Sequence, residues 1–444
     1  MTKVITYGTY DLLHYGHIKL LERAKALGDY LIVGVTSENF DRSRGKLLVQ
    51  QSLTERIEAV KATGLADEII IEEYDGQKID DIKKYGIDIF TVGSDWKGKF
   101  DYLNDYCKVV YLARTKGISS TELRSKGNNV KIGIIGESPT LKKFIGESMY
   151  ISGVSVTDIF AVNDVPEFIS EYDFIKVHDD LKSMLSLVDA VYIISSPDTR
   201  IEFAKTAILC GKHVFIETPI SLNRKDAILI YQLADENNVV LCEALKTAYS
   251  LAFQRMCLLV RSGIIGKVKG VEATCTDISL NNPKWLYKNK SGGALIEWGS
   301  YVIFAVMSIL GQNEKSINFI SSFDDNNVDI YTKINMLYPN AEASLKVGIG
   351  VKSEGDLIIS GTTGYIYVPS PWWKMDYFEV RREDFRNNKK YFYQFEGDGI
   401  RYELAEFIKC IRNNSENNKL TCTESAKIAE VIEKFLSGDN VNCI

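Results

Sequence analysis

Val4-Ile5-Thr6-Tyr7-Gly8-Thr9-Tyr10-Asp11-Leu12-Leu13-His14-Tyr15-Gly16-His17 decides how the front of this chain folds. The apolar run Val4 to Tyr7 reads as a buried strand that ends at Gly8. After the turn, Ile18, Leu21, Ala24, Lys25 and Leu27 recur at helical spacing, and Gly28 is a natural stop. The spacing therefore predicts strand, turn and helix, with two imidazoles in the first helical turn. His14 and His17 stand three positions apart and share one face, and Gly16 leaves the approach open. A helix start offers unpaired backbone N–H groups and the positive end of a dipole, which suits a phosphate chain. Donors gathered there fit nucleotidyl transfer, in which charge builds on an α-phosphate.

Working outward, Leu31 to Val35, Glu68 to Ile71, Ile87 to Val92 and Lys108 to Leu112 read as further strands, and Leu53 to Ala66 as a helix capped by Ser52 or Thr54. Ser37 to Arg44 reads as a polar, basic loop. The alternation predicts a doubly wound parallel sheet, whose ligands sit beyond the carboxyl ends of the strands. Three stretches fall there: Gly8 to Asp11, Gly93-Ser94-Asp95-Trp96, and Arg114-Thr115-Lys116-Gly117-Ile118-Ser119-Ser120-Thr121. The last combines a free backbone at Gly117 with hydroxyls opening a short helix, a second phosphate cradle. Arg44, Lys46 and Arg56 are further cations able to meet phosphates.

The 444 residues call for two or three domains. Hydrophobic content of 45% and charged content of 25% are those of a globular protein, and a net charge of −6 gives no case for nucleic acid or an anionic membrane as partner. The eight cysteines show no C-x-x-C pair, so reduced thiols are expected rather than a disulfide framework. No apolar run approaches the roughly 20 residues that span a bilayer. The expected location is cytoplasmic.

On Tyr7 to His17, Gly93-Ser94-Asp95-Trp96-Lys97-Gly98-Lys99-Phe100-Asp101 and Arg114 to Thr121, the first 128 residues resemble the glycerol-3-phosphate cytidylyltransferase family. That resemblance implies CTP and a small polyol phosphate as substrates, a CDP-alditol and pyrophosphate as products, Mg²⁺ as cofactor and a homodimer. It also implies that His14 and His17 contact the CTP phosphates, and that Lys46 neutralises the transferred group. By the same token Arg56 would meet the substrate phosphate, Arg114 with Ser119 to Thr121 the nucleotide, and Asp11 the metal.

Lys126-Gly127-Asn128-Asn129 is a short polar joint, and a second α/β cycle follows over 130–247. Its strands are Val130 to Gly136, Ile159 to Val162, Ala190 to Ile194, His213 to Ile216 and Val239 to Cys242, with a helix at Leu141 to Met149. Strand ends carry Asn163-Asp164, Ser195-Ser196-Pro197 and Glu217-Thr218-Pro219. Over 248–444 the pattern changes to long alternating runs, Val268 to Asp277, Asp329 to Leu337, Ala341 to Val347, Leu357 to Ser360 and Phe378 to Arg381. These predict a mostly antiparallel sheet with one covered face, followed by helices at Arg401 to Asn413 and Thr423 to Leu436. Pro371-Trp372-Trp373 reads as packing or an oligomer contact.

This second part resembles the Gfo/Idh/MocA oxidoreductases, on Ile132-Gly133-Ile134-Ile135-Gly136, Gly211 to Pro219 and Gly292 to Tyr301. The resemblance implies an NAD(P)(H)-dependent step on a sugar or polyol, with Gly133, Gly136, Ser138, Asp164, Ser195, Ser196, Pro197 and Glu217 around the cofactor. Ser138 and Leu141 occupy the second and third glycine places of G-x-G-x-x-G. The family's Glu-Lys-Pro is here Glu217-Thr218-Pro219, its histidine is Tyr301 and its neighbouring aspartate is Glu297. A phenol with an ordinary pKa of about 10 needs a cation to exchange protons near neutrality, and Lys246 is the candidate by motif proximity.

The expectation is a bifunctional enzyme of cell-surface polysaccharide precursor synthesis. The second half would reduce a sugar or ketose phosphate, and the first would activate the resulting alditol phosphate with CTP. The alternative keeps only the cytidylyltransferase active, with the second half a binding or dimerisation module. A third reading has that half act on the CDP-linked product.

Overall fold

The computed structural model describes residues 1–13, 15–47, 49, 51–113, 129–138, 140–162, 165–278, 291–393 and 395–444. They form two compact units, one of residues 1–129 with 149–154, the other of residues 130–148 with 155–444.

In the first unit the chain runs β1 (Lys3–Gly8), α1 (Tyr15–Lys25), β2 (Tyr30–Thr36), α2 (Glu38–Ser43), α3 (Leu53–Ala62), β3 (Glu68–Glu72), α4 (Gln77–Tyr85), β4 (Ile89–Gly93) and β5 (Lys108–Leu112). The strands pair in parallel in the order β3-β2-β1-β4-β5. Successive residues of β1 bury opposite faces. Val4 packs with Leu21, Ala24 and Val60, whereas Ile5 packs with Ile82, Ile87 and Phe90. Burial on both faces is why these strands read as unbroken apolar runs. The order reverses between β1 and β4, so the crevice of such a sheet opens where Gly8 and Gly93 end their strands.

Ser37 to Arg44, read as a loop, is largely the helix α2. The Ser37 Oγ accepts the Phe40 N–H at 3.2 Å, and Phe40 and Asp41 turn inward. Two buried residues in six are too few to show a helical period. Ser52 caps α3 in a reciprocal box with Glu55.

The second unit begins with β6 (Val130–Ile135), α5 (Thr140–Ser148), β7 (Val154–Phe160), β8 (Lys176–Val177), α6 (Leu181–Leu185), β9 (Ala190–Ile193), α7 (Arg200–Leu209), β10 (His213–Glu217), α8 (Arg224–Glu236) and β11 (Leu241–Ala244). These strands form a sheet in the order β11-β10-β9-β6-β7-β8. There follow α9 (Lys246–Tyr249), α10 (Leu251–Arg261), β12 (Val268–Asp277), α11 (Ala294–Leu310), β13 (Ser316–Phe323), β14 (Asp329–Leu337), β15 (Glu342–Ile349), β16 (Leu357–Gly361), β17 (Gly364–Val368), β18 (Tyr377–Arg381), β19 (Lys389–Phe392), α12 (Ile400–Asn413), α13 (Cys422–Leu436) and β20 (Val441–Cys443).

A nine-stranded sheet, β19-β18-β17-β16-β12-β15-β14-β13-β20, is antiparallel except at β12–β15 and β13–β20. The protein is thus α/β, with two parallel Rossmann-like sheets followed by a mostly antiparallel one. Helix α11 is apolar nearly all round because it lies buried on that last sheet. Helix α13 serves two cores, giving Ala426 and Ala429 to the six-stranded sheet and Ile428, Val431 and Ile432 to the nine-stranded one. Trp372 is packing: it is fully buried, and its indole N–H donates to the Thr274 carbonyl at 3.0 Å. All eight cysteines are free. Among the described residues no helix is long and apolar enough to cross a membrane.

Two candidate sites

In the first unit the turn after β1 holds two non-glycine residues in the left-handed region, Tyr10 at φ 52° and Leu12 at φ 47°. Such backbone persists only where its surroundings fix it. Tyr10 is buried and meets the His17 ring edge-on, with centroids 5.5 Å apart. The Asp11 Oδ1 accepts the Gln51 N–H at 2.9 Å, and the Gln51 Oε1 accepts the Leu12 N–H at 2.7 Å. Beneath the turn runs a network centred on Asp41. It accepts from the Thr9 hydroxyl at 2.9 Å and pairs with Arg44 at 3.3 Å and Arg56 at 3.4 Å. Arg56 is fully buried and donates to the carbonyls of Thr9 and Thr36, both at 2.8 Å, and of Gln51 at 3.1 Å. Burial pushes the Asp41 carboxyl up, against the Thr9 hydrogen bond and the cations Arg44, Arg56 and Lys46. Arg44 also reaches the Thr36 hydroxyl at 3.1 Å. At the end of β4, Gly93 leads into a 3-10 turn, Ser94–Trp96, where Asp95 stands and where Trp96 packs against Phe100.

In the second unit Gly133 lies within β6, and Gly136 opens the turn from β6 to α5 at φ 116°. A Cβ there would sit 2.7 Å from the Ser195 nitrogen, so only glycine lets the turn lie against the end of β9. The Ser138 Oγ accepts the Thr140 N–H at 3.2 Å, and Leu141 is wholly core. The Ser196 Oγ is buried with no hydrogen-bond partner among the described residues, and Pro197 follows it. Arg200, buried at the start of α7, donates to the carbonyls of Ser195 at 2.9 Å, Thr218 at 2.9 Å and Pro219 at 3.0 Å. One guanidinium therefore fixes the loops after β9 and β10. Glu217 accepts from the Tyr192 hydroxyl. The Thr218 hydroxyl donates to the Glu243 Oε1 at 2.6 Å.

Across from these loops, α11 carries Glu297 and Tyr301. Lost hydration and the charge of Glu217 push the Glu297 carboxyl up to about 7, opposed by Arg200 and Lys246. Burial, then the carboxylates Glu217, Glu403 and Glu297, push the Tyr301 phenol far up. Lys246, the first residue of α9, is the cation that acts on both Glu297 and Glu403. Asp329 seats this helix by accepting the Leu295 N–H at 2.9 Å.

Residues 5–126 match the cytidylyltransferase-like family. Over 124 residues the chain is 53% identical to a glycerol-3-phosphate cytidylyltransferase of Bacillus spizizenii, covering 28% of this chain and 95% of that one. The chain belongs to this cytidylyltransferase family. Its Staphylococcus aureus relative is 46% identical over 126 residues, again 28% and 95% of the two chains. Behind the cytidylyltransferase half, residues 130–245 match the oxidoreductase family with an NAD-binding Rossmann fold, and 253–367 the GFO/IDH/MocA C-terminal domain. A trans-1,2-dihydrobenzene-1,2-diol dehydrogenase of Xenopus tropicalis is 23% identical over 256 residues, 56% of this chain and 78% of that one. In fold, this half is similar to a 3-ketoreductase of Actinomadura kijaniata solved with NADP and TDP-benzene (TM-score 0.65, 18% identity, 71% of this chain and all of that one). It is also similar to a levoglucosan dehydrogenase solved with NADH and levoglucosan (TM-score 0.61, 17%, 70% and 97%).

In the cytidylyltransferase half the structure brings Gly8, Thr9, Tyr10, Asp11, His17, Arg44 and Lys46 to the end of β1. Arg56, expected to meet the substrate phosphate, is instead fully buried beneath the turn. It is bonded to the carbonyls of Thr9, Thr36 and Gln51 and to Asp41, so it braces the site. His14, Arg114, Gly117, Ile118, Ser119, Ser120 and Thr121 lie outside the described residues. In the oxidoreductase half Gly136, Ser138, Ser195, Ser196 and Glu217 gather at the strand ends, and Asp164 lies outside the described residues. Sequence reasoning missed Asp41, Arg200, Tyr192 and Glu403. No local pattern marks Arg200 or Glu403, which stand among other polar and charged residues in the sequence.

Proposed function

We propose that the protein makes a CDP-alditol in two steps. A sugar or ketose phosphate is reduced in the oxidoreductase half to an alditol phosphate, which then takes a cytidylyl group from CTP. In the second step a phosphate oxygen of the alditol phosphate attacks the α-phosphorus of CTP. One P–O bond forms, the bond to the bridging oxygen breaks and pyrophosphate leaves. No side chain need act as nucleophile, so positioning and charge compensation carry the step. His17, with His14 and Lys46, would stabilise the charge on the α-phosphate. Among the described residues no three His, Cys, Asp or Glu side chains could hold a metal together. Asp11 would help hold the Mg²⁺ that offsets the charge of the triphosphate.

For the reduction, Gly136, Ser138 and the orphaned Ser196 hydroxyl fit a dinucleotide laid along the strand ends. NAD(P)H held there would supply the hydride. Tyr301 then gives its phenolic proton to the substrate oxygen, Lys246 compensates the phenolate, and Glu297 returns a proton. The observation that carries this reading is the match of 95% of a glycerol-3-phosphate cytidylyltransferase to 28% of this chain, beside an oxidoreductase part in which Glu297 feels Lys246 and in turn acts on Tyr301. A second reading, in which only the cytidylyltransferase turns over, is favoured by Thr218, whose hydroxyl is spent on Glu243 where the family pattern has a lysine.

Incubation with CTP, Mg²⁺, NAD(P)H and three- to five-carbon sugar phosphates, followed by product masses, separates the two. Formation of a CDP-alditol with consumption of reduced cofactor supports the first. CDP-alditol formed only from preformed alditol phosphate supports the second. Light scattering tests the homodimer that the family resemblance implies.

A further inference from the structure

Residues 149–154 follow α5 in sequence but pack as part of the first unit. There they touch two stretches at once. The Lys46 Nζ donates to the Met149 carbonyl at 2.9 Å. The Leu47 N–H donates to the Tyr150 carbonyl at 2.8 Å and the Ser152 N–H to the Leu47 carbonyl at 3.1 Å, a parallel bridge between Leu47 and Ile151. On its other side the Tyr150 hydroxyl accepts from the Lys99 Nζ at 2.7 Å, and its ring meets Trp96 edge-on with centroids 5.8 Å apart. The Lys99 ammonium lies 4.8 Å from the Trp96 centroid and 5.4 Å from that of Tyr150. Lys46 stands close enough to the turn after β1 for its charge to act on Asp41, the acceptor of the Thr9 hydroxyl. The match to the Bacillus spizizenii relative takes up 95% of that protein within 124 residues, 28% of this chain, and the cytidylyltransferase-like match ends at residue 126, before Tyr150.

We propose that Tyr150 is a positioning residue for cytidylyl transfer. It holds the Lys46 stretch and the Trp96–Lys99 stretch in register, and so completes the nucleotide site with residues from beyond the region shared with such relatives. This deepens, and rests on, the cytidylyltransferase reading of the first unit. Bulk packing alone would make Tyr150 matter for melting only. A positioning role makes it matter for how well CTP is held, because small misplacements of charge at a transfer site are costly.

The test uses the full chain, with Tyr150→Ala and Tyr150→Phe assayed on CTP, Mg²⁺ and glycerol 3-phosphate. The alanine variant should raise the KM for CTP roughly tenfold, with kcat changed less. The phenylalanine variant keeps the ring against Trp96 and should recover to within about threefold. Both should melt like the parent. A KM for Tyr150→Ala within about twofold of the parent overturns the proposal. So does a loss in Tyr150→Ala that tracks melting while Tyr150→Phe equals the parent in KM and stability. A parent that turns over no CTP with any polyol phosphate refutes the cytidylyltransferase reading itself, before any variant is made.

Discussion

Replacing Glu297 by Gln should make the protein more stable in base and less active. Glu297 sits on α11, and burial first, then the charge of Glu217, push its carboxyl from an ordinary 4.5 to about 7. A carboxyl raised on folding holds its proton more tightly in the native state than in the unfolded chain. Between pH 4.5 and 7 the unfolded chain has released that proton and the native protein has not, so this group makes stability fall as pH rises. The gap is worth about 3 kcal/mol, at about 1.4 kcal/mol per pH unit, and is complete above pH 7. Glutamine has the same shape and never ionises. Glu297→Gln should therefore exceed the parent by up to about 3 kcal/mol at pH 8 and match it near pH 4.5. Asp329, Glu243 and Glu403 are raised by burial too, so each protein keeps a residual slope, and only the difference between the two reports on Glu297. Denaturant unfolding at pH 4.5, 6, 7 and 8 measures it. Parallel curves at every pH would refute the burial of Glu297 within reach of the Glu217 charge.

Three further outcomes are expected. His17→Ala should lower cytidylyl transfer about a hundredfold or more while the fold survives, since the ring is only partly buried and its contact with Tyr10 is edge-on; near-normal turnover by the folded variant would count against the role. Lys246→Met should cut NAD(P)H-dependent reduction about a hundredfold and leave cofactor affinity, read by NAD(P)H fluorescence, within about twofold; unchanged turnover would remove Lys246 from the proton path. Ser52→Ala breaks the box with Glu55 and should cost about 1 kcal/mol in the unfolding of the first unit, without moving the second.

Much of the fold was legible because burial on two faces leaves unbroken apolar runs. Lys108 to Leu112, Val268 to Asp277 and Asp329 to Leu337 run in the structure to the residues that pattern predicts. The strands Ser316–Phe323 and Lys389–Phe392 did not stand out, the first for its hydroxyls and the second for its two lysines near a sheet edge. In the first site, Gly8 to His17 announced themselves by residue type and spacing. Asp41 did not, because what makes it central is its distance from Thr9 and Arg56, 32 and 15 positions away. Arg200 is the same case. Its meaning lies in carbonyls 18 and 19 residues further on, a relation that no local pattern carries.

The missing lysine of the second half shows what such distant relations decide. By sequence slot, Thr218 looks like a lost catalytic group. In the fold its hydroxyl and the Ile220 N–H both donate to Glu243 Oε1, at 2.6 and 3.0 Å, so the slot has become part of the scaffold that holds β10 against β11. That scaffold ends β11 one residue before Leu245, and α9 opens at once with Lys246. An ammonium there acts on Glu297 and Glu403, the carboxyls that bear on Tyr301. A positive charge is what a phenol needs to release its proton, and it need not come from a fixed place in a motif. If the charge at Lys246 stands in for the lost lysine, restoring the family residue should do harm. Thr218→Lys would leave Glu243 without its hydroxyl donor and crowd an ammonium beside the Arg200 guanidinium. Reduction should fall rather than rise, and a gain in turnover would show that the site had been waiting for its lysine.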